Sequence, residues 1–272
     1  MLPIPFGYFV NTTDELPPFY DNVILFLKFN GTNQSTSFVD NSKYNQTVTR
    51  NGTAVISTTQ SSSSPSSLYT ANTSDDGINS APGTKDLVYI SDTPEFIFGT
   101  ATSFTIEMWA YRNNTDNTER ALMGQATNGN NCWAISIGWY SNAVSPTTWG
   151  HRHSVKMISL VGGTYVCHTT ATQSDVSGAG VNNWNHFAIT RQSFATGSTW
   201  FVHINGVRTT NVFQEAGGSF NGNFPDVSGP ICVGSGLRNL ALSWQGYLDD
   251  VIVTKGVAKY TSSNFTPVKY NN

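Results

Sequence analysis

The chain has 272 residues with 17 acidic and 14 basic side chains, a formal charge of −3, and 11% charged residues beside 38% hydrophobic and 12% aromatic ones. A charged fraction well below the roughly 25% of an average soluble domain leaves Ser, Thr, Asn and Gly to cover the surface, a coat that suits strands and turns better than helices. The basic residues form no run, which removes the electrostatic footprint of nucleic-acid binding, and Cys132, Cys167 and Cys232, odd in number and widely spaced, fit neither a disulfide framework nor a C-x-x-C metal site.

Residues 1–22 hold Pro3, Pro5, Pro17 and Pro18 beside Phe6, Tyr8, Phe9, Phe19 and Tyr20. Prolines at that density exclude a helix or a central strand and predict an extended aromatic arm. The arm either folds back onto its own domain or docks on a neighbour, and the residues do not choose between the two. No basic flank and no uninterrupted apolar core mark it as a secretory signal, and no apolar run elsewhere reaches the roughly 18 residues of a membrane span. The expectation is a soluble protein made in a cytoplasm. Eight Asn-x-Ser/Thr sequons, at Asn11, Asn30, Asn33, Asn45, Asn51, Asn72, Asn113 and Asn264, follow from the Asn, Ser and Thr content by chance.

From residue 23 onward a single all-β domain is predicted, 23–272. Val23–Phe29 is a dense apolar run bounded by Asn22 and Asn30-Gly31, as in a buried strand. Phe38-Val-Asp40-Asn-Ser42 then forms a turn, followed by a short Thr47-Val-Thr49 strand. Residues 58–85 are Ser-, Asn- and Asp-rich and read as loop around a short Ser67-Leu-Tyr69 strand. Ser103-Phe-Thr-Ile-Glu-Met-Trp-Ala-Tyr111 alternates cleanly: Phe104, Ile106, Met108 and Ala110 take one face, and Thr105, Glu107, Trp109 and Tyr111 the other. The second face, a carboxylate among aromatics, suits a half-exposed or groove-forming surface.

Between 112 and 183, short strands alternate with Asn/Gly-rich loops. One of these loops gathers Trp139, Tyr140, Trp149, His151 and Arg152, a mixture of aromatic faces and fixed donors that can bind a sugar or simply brace the loop. His151 and His153 lack a third nearby ligand for zinc. Trp184-Asn-His-Phe-Ala-Ile-Thr-Arg191 and Thr199–Ile204 flank Asn205-Gly206, the strongest short-range hairpin signal. His186 lies on a predicted strand with no Ser, Cys or carboxylate expected around it, so a structural histidine is expected.

The last strong block is Trp244-Gln-Gly-Tyr-Leu-Asp-Asp-Val-Ile-Val-Thr-Lys-Gly256. Strict alternation puts Asp249 with Tyr247, Val251 and Val253, and Asp250 with Leu248 and Ile252, so at least one carboxylate must meet apolar packing and needs partners. Two readings stay open. In one, amides or Arg191 hold the pair; in the other, Asp249 and Asp250 join Asp40 around a Ca²⁺. The first is favoured, since calcium takes six or more oxygens.

Four of these blocks together resemble a known family: Val23–Ser42 with its Phe-x-Asp-x-Ser turn, Phe-Thr-Ile-Glu-x-Trp at 104–109, Trp-x-His-x-Ala-x-Thr-Arg at 184–191 with its Asn-Gly-Val hairpin, and Gly246–Gly256. The family is the laminin-G-like, concanavalin A-like jelly rolls that recur in bacteriophage virion proteins. The resemblance implies a two-sheet antiparallel β-sandwich with adjacent terminal strands, carrying the extended N-terminal arm. It further implies a non-enzymatic virion surface protein, a capsid decoration or knob with lectin-like binding, whose partners are capsid or tail proteins and host surface glycans. Homo-oligomerisation stays open, and no cofactor is implied beyond the Ca²⁺ reading.

The alternative is a tail-fibre or receptor-binding adhesin, against which the sequence sets the lack of a coiled-coil or stalk pattern. A glycoside hydrolase is the remote reading. The retaining members of this superfamily carry Glu-x-Asp-x-x-Glu on one strand, both carboxylates on one face about 5 Å apart, and that spacing does not occur here.

Overall fold

The computed structural model describes residues 16–62, 65–71, 85–99, 101–113, 120–128, 131–138, 154–162, 164–170, 182–195, 197–209, 212–214, 224, 226–235, 243–261 and 264–270. Among them sixteen strands occur in chain order. The first eight are β1 (Val23–Leu27), β2 (Val48–Asn51), β3 (Val55–Ser57), β4 (Ser67–Ala71), β5 (Leu87–Ile90), β6 (Phe104–Arg112), β7 (Arg120–Asn128) and β8 (Asn131–Gly138). The rest are β9 (Ser154–Val161), β10 (Thr164–Thr170), β11 (Trp184–Phe194), β12 (Gly197–Ile204), β13 (Val207–Arg208), β14 (Val212–Gln214), β15 (Ile231–Val233) and β16 (Gln245–Lys255).

They form two eight-stranded antiparallel sheets. One runs β13-β12-β11-β6-β16-β4-β3, with β1 also on β16; the other runs β14-β10-β9-β8-β7-β15-β5-β2. The fold is the expected β-sandwich. Its N- and C-terminal strands are adjacent: β16 pairs with β4 through Gln245–Leu248 and with β1 through Val251–Thr254, so one long strand ties the first and last parts of the chain together.

The core lies between the sheets, where the alternation of β6 delivers Phe104, Ile106, Met108 and Ala110 to one side of a single apolar cluster. Trp133, Ile135 and Ile137 of β8 meet them from the other sheet. Phe98, Phe104, Trp133, Trp200 and Phe224 make a ring cluster inside it, Phe98 and Phe104 with centroids 4.5 Å apart. The Asn205-Gly206 hairpin forms as the sequence predicts: both residues have positive φ, 52° and 76°, and Ile204 pairs with Val207 across them.

β16 departs from simple alternation. Asp249 faces Trp109 and Ile252 faces Glu107, which sets two residues, Asp250 and Val251, against the single Met108 of β6; Asp250 has φ 45°. This bulge resets the parity, so Leu248, Val251 and Val253 enter the core while Ile252 joins a second, outer cluster with Val23, Phe26 and Tyr270. The strict period-2 assignment of the faces is corrected accordingly.

Candidate functional site

The outer face of the first sheet can be described as rows of cross-strand neighbours. Thr105 and Thr190 lie opposite each other, Glu107 lies between Ile252 and Ala188, and Trp109 lies between Asp249 and His186. One row further on, Tyr69, Tyr247, Tyr111 and Trp184 stand in register across β4, β16, β6 and β11.

The first three of these rows are covered by the chain's own C-terminal residues 256–261 and 264–270, which lie over them as a strap. Lys259 N donates to Thr105 Oγ1 at 3.0 Å, Phe265 N to Gly206 O at 2.9 Å, and Trp109 Nε1 to Val268 O at 3.2 Å. Tyr260 and Phe265 stack at 3.7 Å, and Phe265 packs edge-on against His186 and His203. The surface expected to be half-exposed at Glu107 and Trp109 is therefore closed, with 3% and 8% exposure. Its aromatic and carboxylate composition matches the strap and not the solvent.

Under the strap Glu107 bonds Lys259 and accepts from the Tyr260 hydroxyl at 2.6 Å, with His186 Nε2 3.6 Å away. Burial alone would raise this carboxyl, but His186 and Lys259 outweigh it and hold it at about 2. The Tyr260 hydroxyl is pushed up, by burial first and then by the Glu107 charge. His186 is thus a packed neighbour of an ion cluster; the expectation that no carboxylate stands by it is corrected, since cross-strand pairing brings Glu107 to it.

The paired carboxylates are held by backbone and hydroxyl donors. Asp249 accepts from Ser62 N at 3.0 Å, Ser62 Oγ at 2.9 Å and Asp250 N at 3.0 Å, and Asp250 Oδ2 accepts from Tyr270 N at 3.1 Å. Burial, then the neighbouring Asp250, raises the Asp249 carboxyl well above the ordinary range. Arg191 Nη1 donates to Gly99 O at 2.7 Å. Asp40 is likewise used up locally. Its oxygens accept from Phe26 N, Ser42 N and Gln46 N at 2.9 Å and from Ser42 Oγ at 2.8 Å, which pins its turn to β1. The described residues contain no group of three or more ligands fit for a metal ion, so Asp40, Asp249 and Asp250 do not combine into a Ca²⁺ site among them.

Of the arm residues, Tyr20 folds back: its hydroxyl donates to Asn41 O at 2.8 Å and its ring packs on the Val23, Phe26, Ile252 and Tyr270 cluster. Phe19 is 55% exposed. Phe6, Tyr8 and Phe9 lie outside the described residues, as do Trp139, Tyr140, Trp149, His151 and Arg152.

The aromatic row lies beyond the rows that the strap covers. Tyr69, Tyr111 and Trp184 are half-buried, and Tyr247, 7% exposed, fills the gap between the two tyrosines. Centroids are 4.9 Å apart for Tyr69–Tyr247, 5.7 Å for Tyr247–Tyr111 and 5.6 Å for Tyr111–Trp184, with interplanar angles of 37°, 81° and 58°. The row thus spans three inter-strand intervals, about 14 Å at the usual strand spacing. Gly246 permits it. With φ 139°, it lets β16 approach β6 so closely that a Cβ there would collide with the Tyr111 carbonyl. Chemically this is a ledge of rings with polar neighbours, Asn182, Asn183 and Gln245, suited to stacking on the C–H faces of a sugar. Each ring was visible in the sequence, but only strand pairing reveals that they are neighbours.

Residues 82–258, well over half of the chain, match the model of the concanavalin A-like lectin/glucanases superfamily. The chain belongs to this superfamily. No curated protein matches it in sequence. Among solved structures it is similar to the binding domain of Paraclostridial Mosquitocidal Protein 1, at 17% identity and TM-score 0.57 over 89% of this chain and 50% of that one. It is similar to botulinum neurotoxin type C, from a study of cell entry dependent upon interaction with two ganglioside molecules, at 16% identity and TM-score 0.50 over 86% and 48%. It is also similar to domain 4 of AbnA, an extracellular GH43 arabinanase from Geobacillus stearothermophilus, in complex with arabinotriose, at 14% identity and TM-score 0.52 over 88% and 94%. The chain spans about half the length of the toxin binding domains it matches. At these identities the likeness establishes the fold, a lectin-like sandwich; what a domain of this fold binds depends on its own surface residues.

Proposed function

We propose that the chain is a non-catalytic glycan-binding module of the adhesin type, and that the aromatic row Tyr69–Tyr247–Tyr111–Trp184 is its sugar platform. The observation that carries this reading is the row itself: four rings in register on the outer face of the first sheet, one row beyond those that the strap covers. Saccharide-binding or ganglioside-dependent relatives of the same fold support it.

A non-catalytic role is supported by the fate of the carboxylates. Glu107, held at about 2, has no proton to give near neutrality, and its oxygens are engaged by Lys259 and Tyr260. Asp249 and Asp250 are 0% and 2% exposed. Neither arrangement offers a pair of carboxylates flanking an open groove.

The setting we propose with it is the surface of a virion, with host-surface glycans as ligand and capsid or tail proteins as anchor. This rests on the four sequence blocks and on the aromatic arm, whose Phe19 stands exposed where it meets the sandwich. An oligosaccharide array probed with the wild type and with Tyr111→Ala/Trp184→Ala tests the platform: binding lost in the double variant is expected, and binding retained at wild-type strength refutes it. Deleting residues 1–22 tests the anchor by incorporation into particles, which should be lost.

A further inference from the structure

The four rings come from the adjacent strands β4, β16, β6 and β11 and stand in register, so the row runs straight across the strands and not along any one of them. Its length is three inter-strand intervals, about 14 Å. A pyranose unit in an extended chain advances by about one such interval, whereas a single sugar covers one ring or the seam between two. The rings are not equivalent along this line. Tyr69, Tyr111 and Trp184 keep part of their surface exposed, while Tyr247 is sunk to 7% exposure between the two tyrosines. It meets Tyr111 nearly edge-on, at 81°, and wedges between its neighbours without offering a face of its own. Tyr111 and Trp184 are therefore an adjacent pair, 5.6 Å apart, and Tyr69 is an outlying contact two strands away from Tyr111.

The row is also bounded on one long side. Trp109 precedes Tyr111 by two residues on the same face of β6, and the strap lies on it: Trp109 Nε1 donates to Val268 O at 3.2 Å, and Lys269 Nζ stands 4.7 Å from its ring centre. A ligand laid along β6 from Tyr111 toward Trp109 meets the strap after one row. A ligand laid along the row does not.

We infer that the row takes an unbranched saccharide of three or more units laid across the strands, with neighbouring units on Tyr111 and Trp184 and the far end on Tyr69. The inference rests on the glycan-binding reading above and adds the length and shape of the ligand to it. A site for one terminal sugar gathers several polar groups around a single ring. A straight line of ring faces gains instead with each further unit that stacks.

The test titrates the full chain calorimetrically with unbranched gluco-, xylo-, arabino- and galacto-oligosaccharides of increasing length, from the monosaccharide to the pentasaccharide, and repeats this with Tyr69→Ala and Trp184→Ala. Expected is a series whose affinity climbs from the disaccharide to the tetrasaccharide and then levels off. In that series Tyr69→Ala leaves the disaccharide unchanged and weakens the tetrasaccharide about fivefold or more, whereas Trp184→Ala weakens both. The unchanged disaccharide also shows that the Tyr69 variant is folded. Affinity already full with a monosaccharide, yet lost with Trp184→Ala, overturns the length and leaves the platform standing. A Tyr69→Ala loss equal for disaccharide and tetrasaccharide does the same. Failure of every series, or binding indifferent to both substitutions, overturns the inference and the platform together.

Discussion

Replacing Glu107 with Gln probes the closure that confines the ligand surface to one row. A carboxyl held at about 2 in the fold, against an ordinary 4.5, corresponds to about 3 kcal/mol of pH-dependent stability, at about 1.4 kcal/mol per tenfold change in proton affinity. The folded value is depressed, so this stability is fully present above about 4.5 and is lost as pH falls toward about 2. Gln keeps the shape and an acceptor for the Tyr260 hydroxyl, but leaves the Lys259 ammonium buried without its counter-charge. Removing one partner of a buried pair costs about 3–5 kcal/mol. Urea unfolding should therefore place Glu107→Gln about 3 kcal/mol below wild type at pH 7, with the gap narrowing steadily below about pH 4.5 and nearly closed only below about pH 2. A variant within about 0.5 kcal/mol of wild type at neutral pH, or a gap that does not change with pH, would refute the account of the strap as held by this ion cluster.

Asp249 works in the opposite sense. Its folded value is raised, so the native state binds a proton that the unfolded chain releases, and stability rises as pH falls from the raised value toward the ordinary 3.8. Asp249→Asn should abolish that rise, read as a smaller gain in unfolding free energy than the wild type shows as pH falls toward the ordinary 3.8. Gly246→Ala should be strongly destabilising, by about 3 kcal/mol or more, because the new methyl group meets the Tyr111 carbonyl and the φ of 139° is one that L-residues rarely adopt. Thermal unfolding measures the loss, and a melting temperature unchanged from wild type contradicts the close approach of β16 to β6.

Much of the sandwich is legible in the sequence because its signals are local. The apolar run at 23–29 becomes β1, the alternation at 104–111 becomes β6 with the predicted core face, and Asn205-Gly206 makes its hairpin. Strict alternation gives β16 the wrong faces because a bulge is a two-strand property: nothing in the Asp249-Asp250 spacing says that Asp250 will take φ 45°. Glu107 and Trp109 looked solvent-facing because the strap that buries them comes about 150 residues later in the chain, and that separation leaves no periodic trace. The aromatic row was hidden for the same reason. Tyr69, Tyr111, Trp184 and Tyr247 come from four separate blocks, and only the register of the strands aligns them. The loop around Trp139 and Trp149, whose aromatics are close in sequence, lies outside the described residues.

The most direct test of the sugar platform is to follow the backbone and indole amide resonances of the labelled protein while a bound oligosaccharide is added. The account predicts shifts centred on Tyr69, Tyr111, the Trp184 indole and Asn182–Asn183, with the strap residues Lys259, Phe265 and Val268 undisturbed. Shifts that instead centre on Trp139, Trp149 and Arg152 and leave the Trp184 indole unmoved would contradict it.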